Sequence, residues 1–113
     1  MYEYRAKVVK VVDGDTMDVD VDVGFKIHFI ERIRLYGINT PETYGVKRDS
    51  EEYAKGLKSK EWAIKNLEGK EITIKTMKDK KGKYGRYLAI IIKDEININN
   101  KMVELGLAKE HVY

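Results

Sequence analysis

The sequence predicts a single domain of mixed α+β class, mainly β, built from five short strands and two helices. Several segments alternate apolar and polar residues with a period of two, as half-buried strands do. Turn-forming residues separate those segments. One stretch after residue 50 instead spaces its apolar residues as a helix does. Because 113 residues can bury one hydrophobic core but not two, we assign residues 1–113 to one domain.

Three strands are predicted in the first third of the chain. The first spans Tyr4–Val12 and ends at Asp13-Gly14, a strong turn signal. The second, Met17–Val23, alternates valine with aspartate and so has one apolar and one wet face. Gly24 turns the chain into a third strand, Phe25–Tyr36. Short turns between consecutive strands predict an antiparallel meander.

The second half of the chain supplies a helix and a fourth strand. Asp49 or Ser50 is predicted to cap the helix, which ends near Gly69. The fourth strand is Glu71–Met77, and the lysine-rich residues 78–83 are predicted to form a loop.

A fifth strand and a short helix complete the pattern. The strand starts at Tyr84 or Arg86 and ends at Ile92, and Asn97 or Asn99 caps the final helix. The resulting order, βββ-α-ββ-α, is that of a five-stranded barrel of the OB type, with a helix between its third and fourth strands. We therefore predict an OB-fold barrel.

Composition limits the environment and the partners of the chain. Without cysteine, neither a disulfide framework nor a thiolate metal site is possible. No apolar run is long enough to span a membrane, and the first residues lack the apolar core of a signal peptide. We expect no membrane partner and a cytoplasmic location, or secretion if a leader precedes this chain. A net charge of +3 permits nucleic-acid binding without requiring it. We also expect a monomer.

Residues 34–42 are the densest group of chemically active side chains. They are interpreted as a strand that runs into a loop fixed by Pro41, the only proline. Arg34 supplies a guanidinium group, while Asn39 and Glu42 supply oxygen donors. A strand that ends by presenting these groups indicates a site.

Two further segments, Asp13–Thr16 and Lys83–Arg86, add carboxylates, an aromatic ring and a second arginine. Together with residues 34–42 and Met102–Ala108, they follow the order of the staphylococcal-nuclease-like (thermonuclease) domains, which the chain resembles over nearly its whole length. The resemblance implies the OB barrel and a Ca²⁺-dependent nuclease. In that reaction water attacks phosphorus in DNA or RNA, preferably single-stranded, and leaves 3′-phosphate ends.

The resemblance also implies a metal site formed by Asp15, Asn39 and the backbone carbonyl of Thr40. The family has an aspartate at the position of Asn39, so this chain loses one charged ligand, and we expect weaker Ca²⁺ binding. From the residues around it alone, Asp15 is interpreted as a turn-capping aspartate, and it is the other matching segments that favour the metal ligand. The alternative for Asn39 is a hydrogen bond inside the loop.

Arg34 and Arg86 match the two catalytic arginines of the family, which stabilise negative charge on the phosphate. Surface salt bridges are the alternative for both. Glu42 matches the glutamate proposed as general base, which either takes the proton from water or only orients the water. Further residues are candidates for nucleic-acid contacts: Lys83, Tyr84 and Tyr113.

Two other functions remain open at this point. Because Asn39 carries no charge, the chain is also compatible with a catalytically weakened OB module that binds nucleic acid through a basic groove and stacking aromatics. Some members of the family serve as protein-interaction domains. The presence of Asp15, Arg34, Glu42 and Arg86 in one chain favours the nuclease.

Overall fold

Five long strands close into a barrel, and two helices pack against it. The structure is a computed structural model that describes residues 2–81 and 87–112, with side chains for residues 2–77 and 87–112. The strands are β1 (Tyr2–Asp13), β2 (Thr16–Asp22), β3 (His28–Leu35), β4 (Ile38–Asn39), β5 (Glu71–Lys81), β6 (Tyr87–Lys93), β7 (Ile96–Asn97) and β8 (Lys109–Glu110), and the helices are α1 (Glu51–Leu67) and α2 (Ile98–Glu104).

The strand order of the main sheet is β3-β2-β1-β5-β6-β7, and β6 also pairs with β3. This second pairing is parallel and joins Ile33–Leu35 to Tyr87–Ala89, whereas the other pairings are antiparallel. It closes β1, β2, β3, β6 and β5 into a barrel, which confirms the predicted five-stranded OB-like fold.

Alternation along the strands separates the core from the outer surface. Asp18 and Arg32 face each other on the outside, where Arg32 Nε donates to Asp18 Oδ1 over 2.8 Å. This hydrogen bond, with the charge of Arg32, lowers the pKa of Asp18. The intervening side chains fill the barrel and are at most 1% exposed, among them Met17, Val19, Ile33, Leu35, Ile74 and Ile91.

Both helices contribute to the same core. Ala63 and Leu67 of α1, with Ile98 and Met102 of α2, belong to one buried cluster with the barrel interior. Neither of the helices that the structure describes has the length and the apolar character needed to cross a membrane.

Asn99 joins three parts of the chain inside this core. It is 2% exposed, and its Oδ1 accepts a hydrogen bond from the Ile91 N–H at 3.1 Å. Its Nδ2 donates to the carbonyls of Tyr36 at 2.9 Å and Ala89 at 3.1 Å. The α2 cap is therefore the other predicted candidate, Asn97, whose side chain accepts from the backbone N–H of Asn100.

Helix α1 packs closely on the loop that follows β4. A Cβ atom at Gly56 would lie 2.5 Å from the Pro41 carbonyl oxygen and 2.8 Å from Thr43 Cγ2. Only glycine at this helical position allows the loop to approach so closely. The helix begins after Ser50, whose Oγ accepts from the Tyr53 N–H at 3.1 Å, so the cap is Ser50 and not Asp49.

Two predicted boundaries differ from the structure by more than two residues. Strand β3 begins at His28 and not at Phe25, because Phe25 and Lys26 have φ values of 53° and 63°, which an extended strand cannot contain. The predicted loop 78–83 is strand through Lys81, because pairing of β5 with β6 continues to the Lys81–Tyr87 pair and overrides the polar composition. The short strands β4, β7 and β8 were not predicted.

Replacing Asn99 with alanine should lower the free energy of unfolding by about 2–3 kcal/mol, because the buried Ile91 N–H would lose its acceptor and the carbonyls of Tyr36 and Ala89 would each lose a donor. Chemical denaturation followed by circular dichroism measures this loss. The exposed neighbour offers a control, since Asn100→Ala should change stability by less than about 0.5 kcal/mol. Equal effects of the two substitutions would contradict the described role of Asn99.

A Gly→Ala substitution inside a helix normally stabilises it by about 1 kcal/mol. We expect Gly56→Ala instead to destabilise the protein by about 1–3 kcal/mol, because the new Cβ collides with the carbonyl oxygens of Pro41 and Glu42 and with the side chain of Thr43. The reverse substitution at an exposed position of the same helix, Ala54→Gly, serves as the control and should cost about 1 kcal/mol. A stabilised Gly56→Ala variant would show that the loop does not lie against the helix.

Candidate active site

The candidate site lies where the β1–β2 turn meets the end of β3. Asp15 lies in the turn, and its carbonyl accepts a hydrogen bond from the Leu35 N–H at 2.9 Å. Thr16 pairs with Arg34 across β2 and β3. The backbone ladder thus holds Asp15 beside Arg34, although the two residues are far apart in the chain.

Asp15 is 9% exposed, and hydrogen-bond donors surround its carboxylate. Its Oδ2 accepts from the Thr40 N–H at 3.1 Å and faces Arg34 Nη2 at 3.5 Å. Its Oδ1 accepts from the Thr16 hydroxyl at 3.2 Å. Because these donors come from three separate segments, Asp15 fixes the loop after β4 against the β1–β2 turn.

The guanidinium group of Arg34 is held in one place by the same loop. Nη1 donates to the Leu35 carbonyl at 3.3 Å, and Nη2 donates to the Ile38 carbonyl at 3.2 Å and to Asn39 Oδ1. The side chain is 14% exposed. Arg34 Nη2 therefore lies among the oxygens of Asp15, Ile38 and Asn39, an environment unlike that of the exposed Arg32.

Pairing of β4 with β8 places a histidine beside Asn39. Asn39 is opposite Lys109 in this two-stranded sheet, and the Nδ1 of His111 lies 3.1 Å from Asn39 Nδ2. The backbone N–H of His111 donates to the Gly37 carbonyl at 2.8 Å. The sequence contains no signal for this neighbour, because strands of two residues have no periodicity.

The predicted metal ligands can be tested for their fit to a cation. The oxygens of Asp15 and Asn39 already converge on one positively charged nitrogen, Arg34 Nη2. Carboxylate, amide and carbonyl oxygens are the ligands that Ca²⁺ prefers. Within the described residues, no three His, Asp or Glu side chains are grouped closely enough to hold a metal. The donors fit a hard cation, with a single carboxylate among them.

Several carboxylates lie close together around the candidate site. Glu42, exposed on the loop after Pro41, has a raised pKa because of partial desolvation and the negative charges of Asp15, Asp13 and Glu52. Burial, and to a smaller extent the charge of Asp15, also raise the pKa of Asp13. Asp13, predicted from sequence to lie in the turn and to be a possible second carboxylate beside Asp15, thus adds to the negative potential around the candidate metal ligands.

The structure brings Asp15, Arg34, Asn39 and Thr40 together, and Glu42 follows on the same loop. The Thr40 hydroxyl is buried without a hydrogen-bond partner among the described residues, and a Cβ atom at Gly14 would lie 3.0 Å from its Oγ1. The remaining predicted site residues lie outside the described residues: Lys83, Tyr84, Arg86 and Tyr113.

Comparisons with known proteins bear on the family of this chain. The family described as staphylococcal nuclease homologue matches residues 32–113. An uncharacterized protein of Methanocaldococcus jannaschii is 36% identical over 96% of this chain and 60% of its own length. The thermonuclease of Staphylococcus hyicus is 32% identical over 98% of this chain and 62% of its own length. The thermonuclease of Staphylococcus intermedius is 33% identical over 94% of this chain and 59% of its own length.

The chain spans about three fifths of the length of these relatives. The family match covers well over half of the chain and includes Arg34, Asn39 and Glu42. The similarity to the thermonucleases extends over nearly all of it and takes in Asp15 as well. On this evidence, the chain belongs to the family of staphylococcal nuclease homologues.

Proposed function

We propose that this protein is a nuclease that hydrolyses phosphodiester bonds of DNA or RNA, with water as the attacking group. The observation that carries the proposal is the grouping of the Arg34 guanidinium with the Asp15 carboxylate and the Asn39 amide oxygen, with Glu42 on the adjoining loop. A transferring phosphoryl group spreads negative charge over its oxygens, and a fixed guanidinium group meets that charge with paired donors.

Arg34 is suited to this role because the protein positions it in advance. Its contacts to the Leu35 and Ile38 carbonyls fix the plane of the guanidinium group, and its largely buried position reduces screening by water. Little reorganisation is then needed when charge develops on the substrate. By resemblance, Arg86 supplies the second guanidinium group.

A Ca²⁺ ion would be held by Asp15, Asn39 and the Thr40 carbonyl. Such an ion supplies Lewis-acid polarisation of the phosphate. Arg34 already contacts the oxygens of Asp15 and Asn39, so it competes with any cation for them. With one carboxylate among the ligands, we propose that Ca²⁺ binding is weak and is strengthened by the oxygens of the substrate phosphate.

Glu42 is the proposed general base. Its carboxylate is exposed, so water can reach it, and its raised pKa makes it a stronger proton acceptor than an ordinary glutamate. The Glu42 carboxylate would take a proton from the attacking water, or would orient that water by a hydrogen bond. Cleavage that leaves 3′-phosphate ends, and contacts from Lys83, Tyr84 and Tyr113, are carried over from the family. The proposed site needs residues of one chain only, which is compatible with a monomer.

A second candidate function is nucleic-acid binding without cleavage. One observation favours it: Arg34 donates a hydrogen bond to the amide oxygen of Asn39. This uncharged oxygen therefore has a partner without a metal. An OB barrel can bind single strands without a metal. The two candidates differ in whether Ca²⁺ elicits cleavage.

The two arginines of β3 provide a matched test of the nuclease. With denatured DNA and millimolar-range Ca²⁺, Arg34→Ala should lower kcat by about 100-fold or more, because it removes the fixed donor for phosphate charge. Arg32→Ala removes an exposed arginine of the same strand, paired with Asp18, and should change kcat by no more than about twofold.

The same assay extends to Glu42→Ala and Arg86→Ala, both expected to abolish cleavage while circular dichroism remains that of the folded protein. End-group analysis of the products should show 3′-phosphate. If cleavage survives Arg34→Ala and Glu42→Ala, the site proposed here is not the catalytic one.

Asn39→Asp should raise the affinity for Ca²⁺ about tenfold or more, because it restores a second charged ligand. Isothermal titration calorimetry on the free protein measures this directly. An unchanged affinity would exclude residue 39 as a ligand. If the wild type does not cleave denatured DNA and Asn39→Asp does, the chain is a weakened enzyme, and nucleic-acid binding is its function.

A further inference from the structure

The barrel has a second concave surface, at the end near the β2–β3 turn and the first residues of β6. A cavity of about 480 Å³ opens there, with Val21, Ile33 and Ile74 among its lining residues. These three side chains are at most 3% exposed and belong to the barrel core. The cavity is thus a mouth of the barrel with an apolar floor.

Aromatic side chains form the wall of this mouth. Strand register places them on the inner face: Tyr4 pairs with Ile74, and Phe29 pairs with Val21. Tyr2, two residues before Tyr4, continues the same face. Tyr2 is 51% exposed and Phe29 is 46% exposed. The described lining also includes Glu31, Thr76, Met77 and Tyr87.

Glu31 is the one charged residue in that lining. It lies opposite Val19 in the β2–β3 register, and Val19 is completely buried in the barrel, so Glu31 is on the inner face of β3 between Phe29 and Ile33. Its carboxylate forms no ion pair or hydrogen bond with any residue whose side chain the structure describes. Carboxylates on the outer face differ, since Asp18 is paired with Arg32.

The charge of this mouth selects the kind of ligand. The faces of aromatic rings carry negative electrostatic potential and attract cations. A carboxylate among such rings strengthens the attraction and repels anions. A nucleic-acid strand would bring its phosphates towards Glu31, whereas a positively charged group on an alkyl chain would satisfy both the carboxylate and the apolar floor.

We propose that the mouth of the barrel binds an alkylammonium group, the chemistry shared by a free primary amine and a lysine side chain. The mouth is separate from the described part of the candidate active site, because Glu31 and Ile33 are on the inner face of β3 and Arg34 is on the outer face. The two sites can be occupied and tested independently.

Titration of the ¹⁵N-labelled chain with n-butylammonium, monitored by two-dimensional NMR, tests the proposal. Saturable shifts should appear at the amides of Val21, Phe29 and Ile33, with an affinity about tenfold higher than for the neutral analogue 1-butanol. N-acetyl-lysine N-methylamide forms a second arm, and whichever cation binds more tightly identifies the source of the group.

Three variants decide which interactions carry the binding. Glu31→Gln should reduce the affinity for butylammonium to that for butanol, and Phe29→Leu should weaken it about threefold. Glu61→Gln, which removes an exposed carboxylate of α1, should leave it unchanged. Glu31→Gln should also leave DNA cleavage unchanged, so this proposal can fail without the nuclease proposal failing.

Three outcomes would overturn the inference. Equal affinities for butylammonium and butanol would mean a merely apolar cavity. Undiminished binding by Glu31→Gln would remove the carboxylate from the site. Tighter binding of thymidine 5′-phosphate than of the amines, at the same amides, would identify the mouth as a nucleobase site instead.

Discussion

The buried carboxylate of Asp15 is the constraint on which the candidate site depends. A buried charge is tolerated only when partners replace the water that it has lost. Here the partners are a backbone N–H, a hydroxyl and a guanidinium group, from Thr40, Thr16 and Arg34. Folding must therefore bring the β1–β2 turn, β3 and the loop after β4 together. The requirement that keeps Asp15 stable also assembles the residues proposed for chemistry.

Strand β3 shows how one short segment serves the core and the surface. Ile33 and Leu35 fill the barrel and are at most 1% exposed, while the alternate residues Arg32 and Arg34 lie on the outer face. A slip of one residue in the register would exchange the two sets. The parallel pairing with β6 restrains this register at the point where Arg34 leaves the strand. Precise placement of the arginine is thus a by-product of barrel closure.

The long elements were predictable because their signals are local. Period-two alternation in β1 and β2 and helical spacing in α1 predicted the barrel and its helix, whereas the grouping of Asp15 with Arg34 was implied by the family resemblance. The start of the third strand was misplaced because the positive φ values of Phe25 and Lys26 have no counterpart in residue type.

The details of the site depend on contacts between distant segments. His111 reaches Asn39 only through the β4–β8 ladder, and the pKa of Asp13 is raised by burial and by Asp15 in three dimensions. Neither property is encoded in a pattern along the chain. The sequence therefore indicated which residues carry the chemistry. Their hydrogen-bond and electrostatic partners could be identified only from the folded structure.

The β4–β8 ladder also has a consequence for biosynthesis. It joins residues 38 and 39 to residues 109 and 110, so the surroundings of Asn39 are incomplete until the latter have been translated and have left the ribosome. The barrel strands and α1 emerge earlier, and their contacts can begin to form before that point. A nascent chain would then carry most of its core without a finished site. Completion of the surroundings of Asn39 would then wait for residues 109 and 110 to emerge.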